Sequence, residues 1–537
     1  MSGGALGRGY RRWAAVLALI SCTEDPVAEV DATPTPDVVL TAPPETDPAL
    51  LFQDVTAWAG LADLPATAGP GIAFADVDGD DDDDLLVPTP EALLVLRNRG
   101  DGSFGAPEPI ADSDYGWMVY AAELTGDGKL DLLLSQPRDV RLFEGRGDGT
   151  FTRSARLETA EAPGEYSVVT YGDYAFRGRL SVLLARHYGG SDCDLTRTAD
   201  SPPCDKDDDP GGLPDLRIPN SDGDFQGDPG LAALVGRARV KAAATADLNQ
   251  DGLVDLWLGQ DSYLPGLALL SDGKGGFVDA GAALGLNVVA SAMGFDGGDI
   301  DGDGDIDYMV ANLFPGIQLF EYDGGRYTEL AADRGFAELS SYSTWGMGLR
   351  DFDDDGDLDL LGVGGFGGGE VEVPTPLERI FFAGDGTGHF ERRYGAANSG
   401  LDLAGSARGA AFSDVDRDGD VDMVVASVDG PVQLLRNELG GSRSGGGHWL
   451  QLRLDYPWHR PAVGAVITVT AGAKTWKRWV LGTPSYGGSS TEWVHVGLGD
   501  AATVDGIEVR WPNGMSQIEP GGPACERRVI TFRTPPG

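Results

Sequence analysis

Residues 298–311 read Gly-Asp-Ile-Asp-Gly-Asp-Gly-Asp-Ile-Asp-Tyr-Met-Val-Ala. Asp299, Asp301, Asp303 and Asp307 stand at positions 1, 3, 5 and 9 of a short loop, and an apolar run follows. Asp305 is at position 7, where a backbone carbonyl usually serves as ligand. Alternate residues of a tightly turned loop can aim their oxygens at one centre, and Gly302 and Gly304 supply the dihedrals that turn needs. Hard oxygen donors in this number favour Ca²⁺ over zinc or iron. The loop is not an EF-hand: the glutamate required at position 12 is replaced by Val310, and the flanks read as strands rather than helices.

Working outward, the same unit recurs seven times, its first positions being Asp76, Glu123, Asp173, Asp247, Asp299, Asp351 and Asp414. Five copies keep oxygen donors at positions 1, 3, 5 and 9. Besides the copy quoted, these are Asp76, Asp78, Asp80 and Asp84; Asp247, Asn249, Asp251 and Asp255; Asp351, Asp353, Asp355 and Asp359; and Asp414, Asp416, Asp418 and Asp422. The second copy, Glu123, Thr125, Asp127 and Asp131, is a weaker set. The third, Asp173, Ala175, Arg177 and Ser181, has lost the ligands, and Arg177 can supply positive charge itself. The expectation is five or six structural calcium ions and none in the third unit. Carboxylates packed this closely repel each other without a cation.

Between these loops a second element recurs, a Gly-Asp turn followed by an aromatic, ending at Phe104, Phe151, Phe225, Phe277, Tyr327 and Phe390. It has six copies against seven of the first. Leu51-Phe52-Gln53-Asp54-Val55, at the other end of the body, reads as the missing remnant. Each unit offers about four short strands. Seven units with a split last one predict an all-β, seven-bladed propeller over residues 50–440, its N-terminal strand closing the last blade and hiding the sheet edges. A linear solenoid would have no reason to join its ends. The tripeptides Arg99-Gly100-Asp101 and Arg146-Gly147-Asp148 fall in the second element, where turn geometry asks for Gly and Asp.

The start of the chain is a basic segment, Arg8 to Arg12, then an apolar run to Ile20 ending in Ser21-Cys22. Residues 1–22 therefore read as a lipoprotein signal peptide with Cys22 as the lipidated residue, and Arg11-Arg12 also permits twin-arginine export. Residues 23–49, rich in Pro, Asp, Glu and Thr, read as a disordered tether. The expected location is the cell surface or an outer membrane, alternatively the periplasm or the medium, with the lipid as the membrane contact. Cys193 and Cys204, in an insertion over 190–230, can form one disulfide in an oxidising compartment. The pairing of Cys525 stays open. A formal charge of −45 disfavours binding to nucleic acid or anionic lipid.

Residues 441–537 hold about six strand-like segments and six of the 11 tryptophans, which predicts a small β-sandwich-like domain. Trp476 and Trp479 point to opposite faces of a strand. One of them packs on the propeller, or else forms a stacking platform for a sugar ring.

The loop repeats resemble the FG-GAP/VCBS repeats of the integrin α-subunit propeller. The stretches from Arg408, His448, Pro461 and Val494 resemble the ASPIC/UnbV domain of cartilage-acidic-protein-like proteins, which join such repeats to this C-terminal module. The resemblance implies calcium held by the loop aspartates and an extracellular binding or adhesion protein. Neither an H-E-x-x-H zinc motif nor a G-x-S-x-G nucleophile elbow is present. A non-enzymatic module for an extracellular glycan or protein is expected; the alternative is a secreted polysaccharide hydrolase or lyase with its site in the propeller channel.

Overall fold

The computed structural model describes residues 51–136, 138–159, 166–187, 211–366, 375–395, 399–402, 405–427, 430–439, 447–483 and 485–534. Residues 1–22, expected to be a signal peptide ending in Cys22, residues 23–49, expected to be a tether, and Cys193 and Cys204 lie outside the described residues. Cys525 is disulfide-bonded.

Seven antiparallel sheets follow one another along the chain. Their inner strands are Ala73–Ala75, Met118–Ala122, Tyr166–Gly172, Val240–Ala246, Ala292–Gly298, Thr344–Arg350 and Ala407–Ser413. Each inner strand pairs with a second strand that begins at or beside loop position 9, for example Asp307–Asn312 and Asp422–Ser427. These second strands are buried along their whole length. A strand covered on both faces reads as a continuous apolar run, not an alternating one, as the sequence after each loop does.

The last sheet is completed from the other end of the chain. Phe52–Asp54 pairs antiparallel with Gln433–Asn437, with Phe52 opposite Asn437 and Asp54 opposite Leu435. Phe52 is fully buried against the rings of Phe352 and Phe381, at 6.0 and 5.8 Å. The propeller and its closure therefore match the expectation. One boundary differs: Asp215–Pro219 and Phe225–Asp228, inside the stretch read as an insertion, are the third and fourth strands of blade three. Phe225 marks its blade as the other turn aromatics do.

The C-terminal domain has seven strands rather than about six, in two sheets. His448–Asp455 lies between Val494–Gly499 and Glu526–Thr531, the latter in parallel. Val466–Ala471 lies between Lys474–Trp479 and Thr503–Arg510, and Ser516–Pro523 flanks the last. Leu450, Leu452, Ile467, Val469, Val496, Val509 and Trp511 fill the space between them. Trp476 belongs to that core, whereas Trp479 packs on propeller residues around Trp257 and Phe295. The opposite-face reading of this pair holds, and the propeller takes the outward ring.

Between Lys474–Trp479 and Val494–Gly499 the chain leaves the domain and enters the axis of the ring. Thr483 Oγ1 bonds Thr170 Oγ1 of blade three at 2.8 Å, and the Gly482 amide donates to Thr245 O of blade four. The Ser485 amide donates to Phe295 O of blade five, while its hydroxyl accepts from the Met347 amide of blade six and donates to Ala410 O of blade seven. Ser489 accepts from the Phe74 amide of blade one and the Ala121 amide of blade two. Every blade is thus bonded to this segment. A Cβ on Gly488 would lie 1.6 Å from Ile72 O, so only glycine passes there. Tyr486, buried, sits 5.3 Å from the Trp345 ring.

Candidate metal centres

All seven loops share one backbone shape. Position 4 and position 6 both have positive φ: Gly302 and Gly304 at 77° and 91°, Gln250 and Gly252 at 59° and 90°, Asp354 and Gly356 at 59° and 105°, Arg417 and Gly419 at 58° and 102°. Even the third loop keeps it, with Phe176 at 51° and Gly178 at 72°. The position 1 carboxylate holds this shape by accepting the position 6 amide, as Asp299 Oδ2 does from Gly304 at 3.1 Å and Asp173 Oδ2 from Gly178 at 2.7 Å. The third blade has therefore kept the turn and lost the ligands. The Asp-turn reading of the Arg-Gly-Asp tripeptides is also met: Asp101 and Asp148 each accept from the amide two residues on, at 2.9 and 3.0 Å.

Position 9 does more than its sequence reading suggests. In six loops its two oxygens accept different backbone amides. Asp307 Oδ2 takes the Ile300 amide at 3.0 Å and Oδ1 takes the Tyr322 amide, from the third strand, at 2.9 Å. Asp422 does the same with Val415 at 3.1 Å and Asn437 at 2.8 Å, and Asp84, Asp131, Asp255 and Asp359 repeat the pattern. Position 9 is thus a staple that ties the loop to the third strand, as well as a candidate ligand.

Carboxylate oxygens converge in four loops. Asp76, Asp78 and Asp80; Asp299, Asp301 and Asp303; Asp351, Asp353 and Asp355; and Asp414, Asp416 and Asp422 each place ligand atoms within 4.8 Å of one another. In the second and fourth loops the described carboxylates do not meet that spacing; there Thr125 and Asn249 stand among the expected donors. Oδ1 of Asp78, Asp299, Asp351, Asp353 and Asp414 is buried with no hydrogen-bond partner. A buried carboxylate oxygen without a donor is costly, and a hard cation at the loop centre would supply what is missing. Burial also raises the carboxyl pKa values, to about 8 at Asp84 and Asp307 and to about 7 at Asp255.

Several contacts to the loops were not legible in sequence. Arg97 reaches Asp78 Oδ2 at 2.5 Å from within blade one. The C-terminal domain sends a basic side chain to each of five loops. Arg453 pairs with Asp76 and Asp81, Arg510 with Asp247, Arg478 with Asp351 and Arg527 with Asp414, while Lys477 donates to Gly304 O at 2.5 Å. His495 Nε2 lies 2.8 Å from Asp354 Oδ1, and burial pushes the imidazole pKa down to about 4. Arg460 O accepts the Glu123 amide at 2.6 Å, and Trp458 covers Gly178 of the third loop. The domain therefore caps the loop face of the ring on all seven blades.

Comparison with known families places the FG-GAP-like repeat at residues 76–134, 124–184 and 299–362, and the ASPIC and UnbV domain at residues 457–531. No curated protein matches the chain. Among solved structures it is similar to an Agrocybe aegerita lectin described as recognising non-reducing terminal N-acetylglucosamine, at 15% identity over 69% of this chain and 95% of that one, TM-score 0.43. A chain of the BBS1N–ARL6DN complex matches at 8% identity over 69% of this chain and 93% of that one, TM-score 0.41. The extracellular domain of the hybrid two-component system BT3049 from B. thetaiotaomicron matches at 10% identity over 87% of this chain and 56% of that one, TM-score 0.40. The chain carries FG-GAP-like repeats followed by an ASPIC/UnbV domain.

Proposed function

We propose that this chain, FG-GAP-like repeats capped by an ASPIC/UnbV domain, is an exported calcium-stabilised module that binds an extracellular glycan or protein through the face of the ring turned away from the cap. Calcium occupies the first, fifth, sixth and seventh loops and, more weakly, the second and fourth. Its role is to hold the blades and the cap together. Cys22 carries the lipid that keeps the module at a membrane surface.

The observation that carries this reading is where the exposed aromatics fall. Strands alternate in direction within each blade, so the turns between second and third strands, and the links between blades, open on the face opposite the cap. Tyr115, Tyr263, Phe314 and Tyr394 lie in those turns and links, with 43, 55, 38 and 66% of their surface exposed. Tyr115 and Tyr263 also have φ of 57° and 55°. Aromatics held in strained backbone at exposed loops suit recognition by stacking. A site in the propeller channel is less well supported, because the segment around Tyr486 fills the axis from the cap side.

Glycan-array and cell-wall pull-down binding of the calcium-loaded chain tests the reading. Retained binding that falls with Tyr115→Ala and Tyr263→Ala is expected. Binding unchanged by both substitutions, or hydrolysis of a polysaccharide, would overturn it.

A further inference from the structure

The axis segment leaves a space beside it. Between its outgoing limb, residues 479–481, and its returning limb, residues 489–495, lies a cavity of about 100 Å³. Across the axis it is bounded by the cap ends of the inner strands of blades five and six. One buried water takes up about 10–15 Å³, so the space suits a small molecule.

Unspent polar groups gather on its walls. Arg350 donates from Nη1 to Asp296 Oδ2 and to Leu349 O, both at 2.7 Å. Among the described residues its Nε and Nη2 have no hydrogen-bond partner, and the side chain keeps 24% of its surface accessible. Arg478 spends its Nη atoms on Asp351 and the Lys477 carbonyl, while its Nε is buried with no partner. Glu492 accepts twice from Arg460 at Oε2, at 2.7 and 3.0 Å, and leaves Oε1 buried without a donor. His495 spends Nε2 on Asp354, and its Nδ1 is buried without a partner. Thr491 Oγ1 accepts the Trp493 amide, and its hydroxyl proton is unspent among the described residues. Arg478 and His495 are both more than nine-tenths buried, and buried polar atoms left unmade are costly.

The kinds of atom left over select a ligand. The Nε–Nη2 edge of a guanidinium matches a carboxylate with two parallel bonds. With the Nε2 proton given to Asp354, His495 Nδ1 is an acceptor, as is Glu492 Oε1. The ligand therefore has to bring donors of its own, which hydroxyl groups supply and a bare carboxylate does not. The nearby carboxylates, Asp296 and Glu492, are each already held by a guanidinium. Trp479 also lines the cavity, an apolar ring on which the C–H face of a sugar can stack. We infer that this cavity binds a small carboxylate bearing hydroxyl groups, a free sugar acid of the hexuronate kind. Arg350 holds its carboxylate, and Glu492 and His495 accept from its hydroxyls. The site lies beneath the cap and is separate from the exposed face that carries Tyr115 and Tyr263.

Isothermal titration of the full chain in calcium with glucuronate tests this, with glucose and acetate as partial probes. Saturable binding of one glucuronate per chain is expected, with glucose and acetate weaker by about tenfold or more, the loss of one charged or several neutral bonds. Arg350→Lys keeps the charge beside Asp296 and removes the planar edge, and should weaken glucuronate by about tenfold. Thr491→Val should weaken it as well, whereas Tyr115→Ala, on the opposite face, should not. Absence of saturable binding, glucose or acetate bound as tightly, indifference to both Arg350→Lys and Thr491→Val, or a loss with Tyr115→Ala would each overturn the site. Should Arg350→Lys fail to fold, Thr491→Val and crystals soaked in glucuronate decide the same question. Density against Arg350 Nε and Nη2 is expected there; ordered water alone in the cavity, or glucuronate only elsewhere, refutes it.

Discussion

Phe52 lies directly opposite Asn437, and Asn437 in turn gives its amide to Asp422 at 2.8 Å. The first strand of the body and the last metal loop thus share one residue. Closure of the ring and assembly of the seventh centre are parts of one arrangement.

Phe52→Ala is expected to destabilise the ring by about 3–5 kcal/mol, the usual cost of removing a fully buried aromatic. Thermal melting in calcium measures it. Truncation beyond Asp54 bares the edge of Gln433–Asn437, and light scattering should then report self-association.

The staple and ligand roles separate by mutation. Asp307→Ala removes the acceptor of two backbone amides, at about 0.5–1.5 kcal/mol for each bond. That loss should appear in chelator as well as in calcium. Asp303→Ala, whose residue lies nearer solvent, should lower the melting temperature chiefly in calcium. Equal penalties from both in chelator would remove the distinction.

Without metal, stability should fall as pH rises from about 5 to about 8. Burial raises Asp84 and Asp307 to about 8 and Asp255 to about 7 from the ordinary 3.8. The folded chain then binds more protons than the unfolded one between these limits, so raising pH favours unfolding. Calcium displaces those protons, and with excess calcium the decline should vanish. Melting curves at several pH values, with chelator and with calcium, decide the sign.

Tyr486→Ala should lower stability by about 3–5 kcal/mol through the space left beside Trp345. Limited proteolysis should cut within 481–492 faster in chelator than in calcium, because the cap rests on the metal loops. Equal rates would uncouple the two.

Much of this was legible along the chain because each loop repeats one spacing and each strand one run of apolar residues. The split last blade showed itself in a missing turn before Phe52. The inserted segment did not, since its Gly, Ser and Thr residues read as an ordinary connection; Gly487-Gly488 was the available signal, and its meaning depends on the closeness of Ile72 in space. The outer strands of blade three were hidden by the long separation between Arg186 and Asp215. The position 9 aspartates were found as donors to a metal, but their grip on the third strand depends on backbone amides that carry no letter of their own.

The segment held in the axis also sets an order of events. The ring needs residues 52–54 to shut, and the axis needs residues 481–492 to fill. A chain emerging from a ribosome or a translocation pore holds the first long before the second. Its blades must wait, open, until the last hundred residues arrive, so assembly belongs to the finished polypeptide.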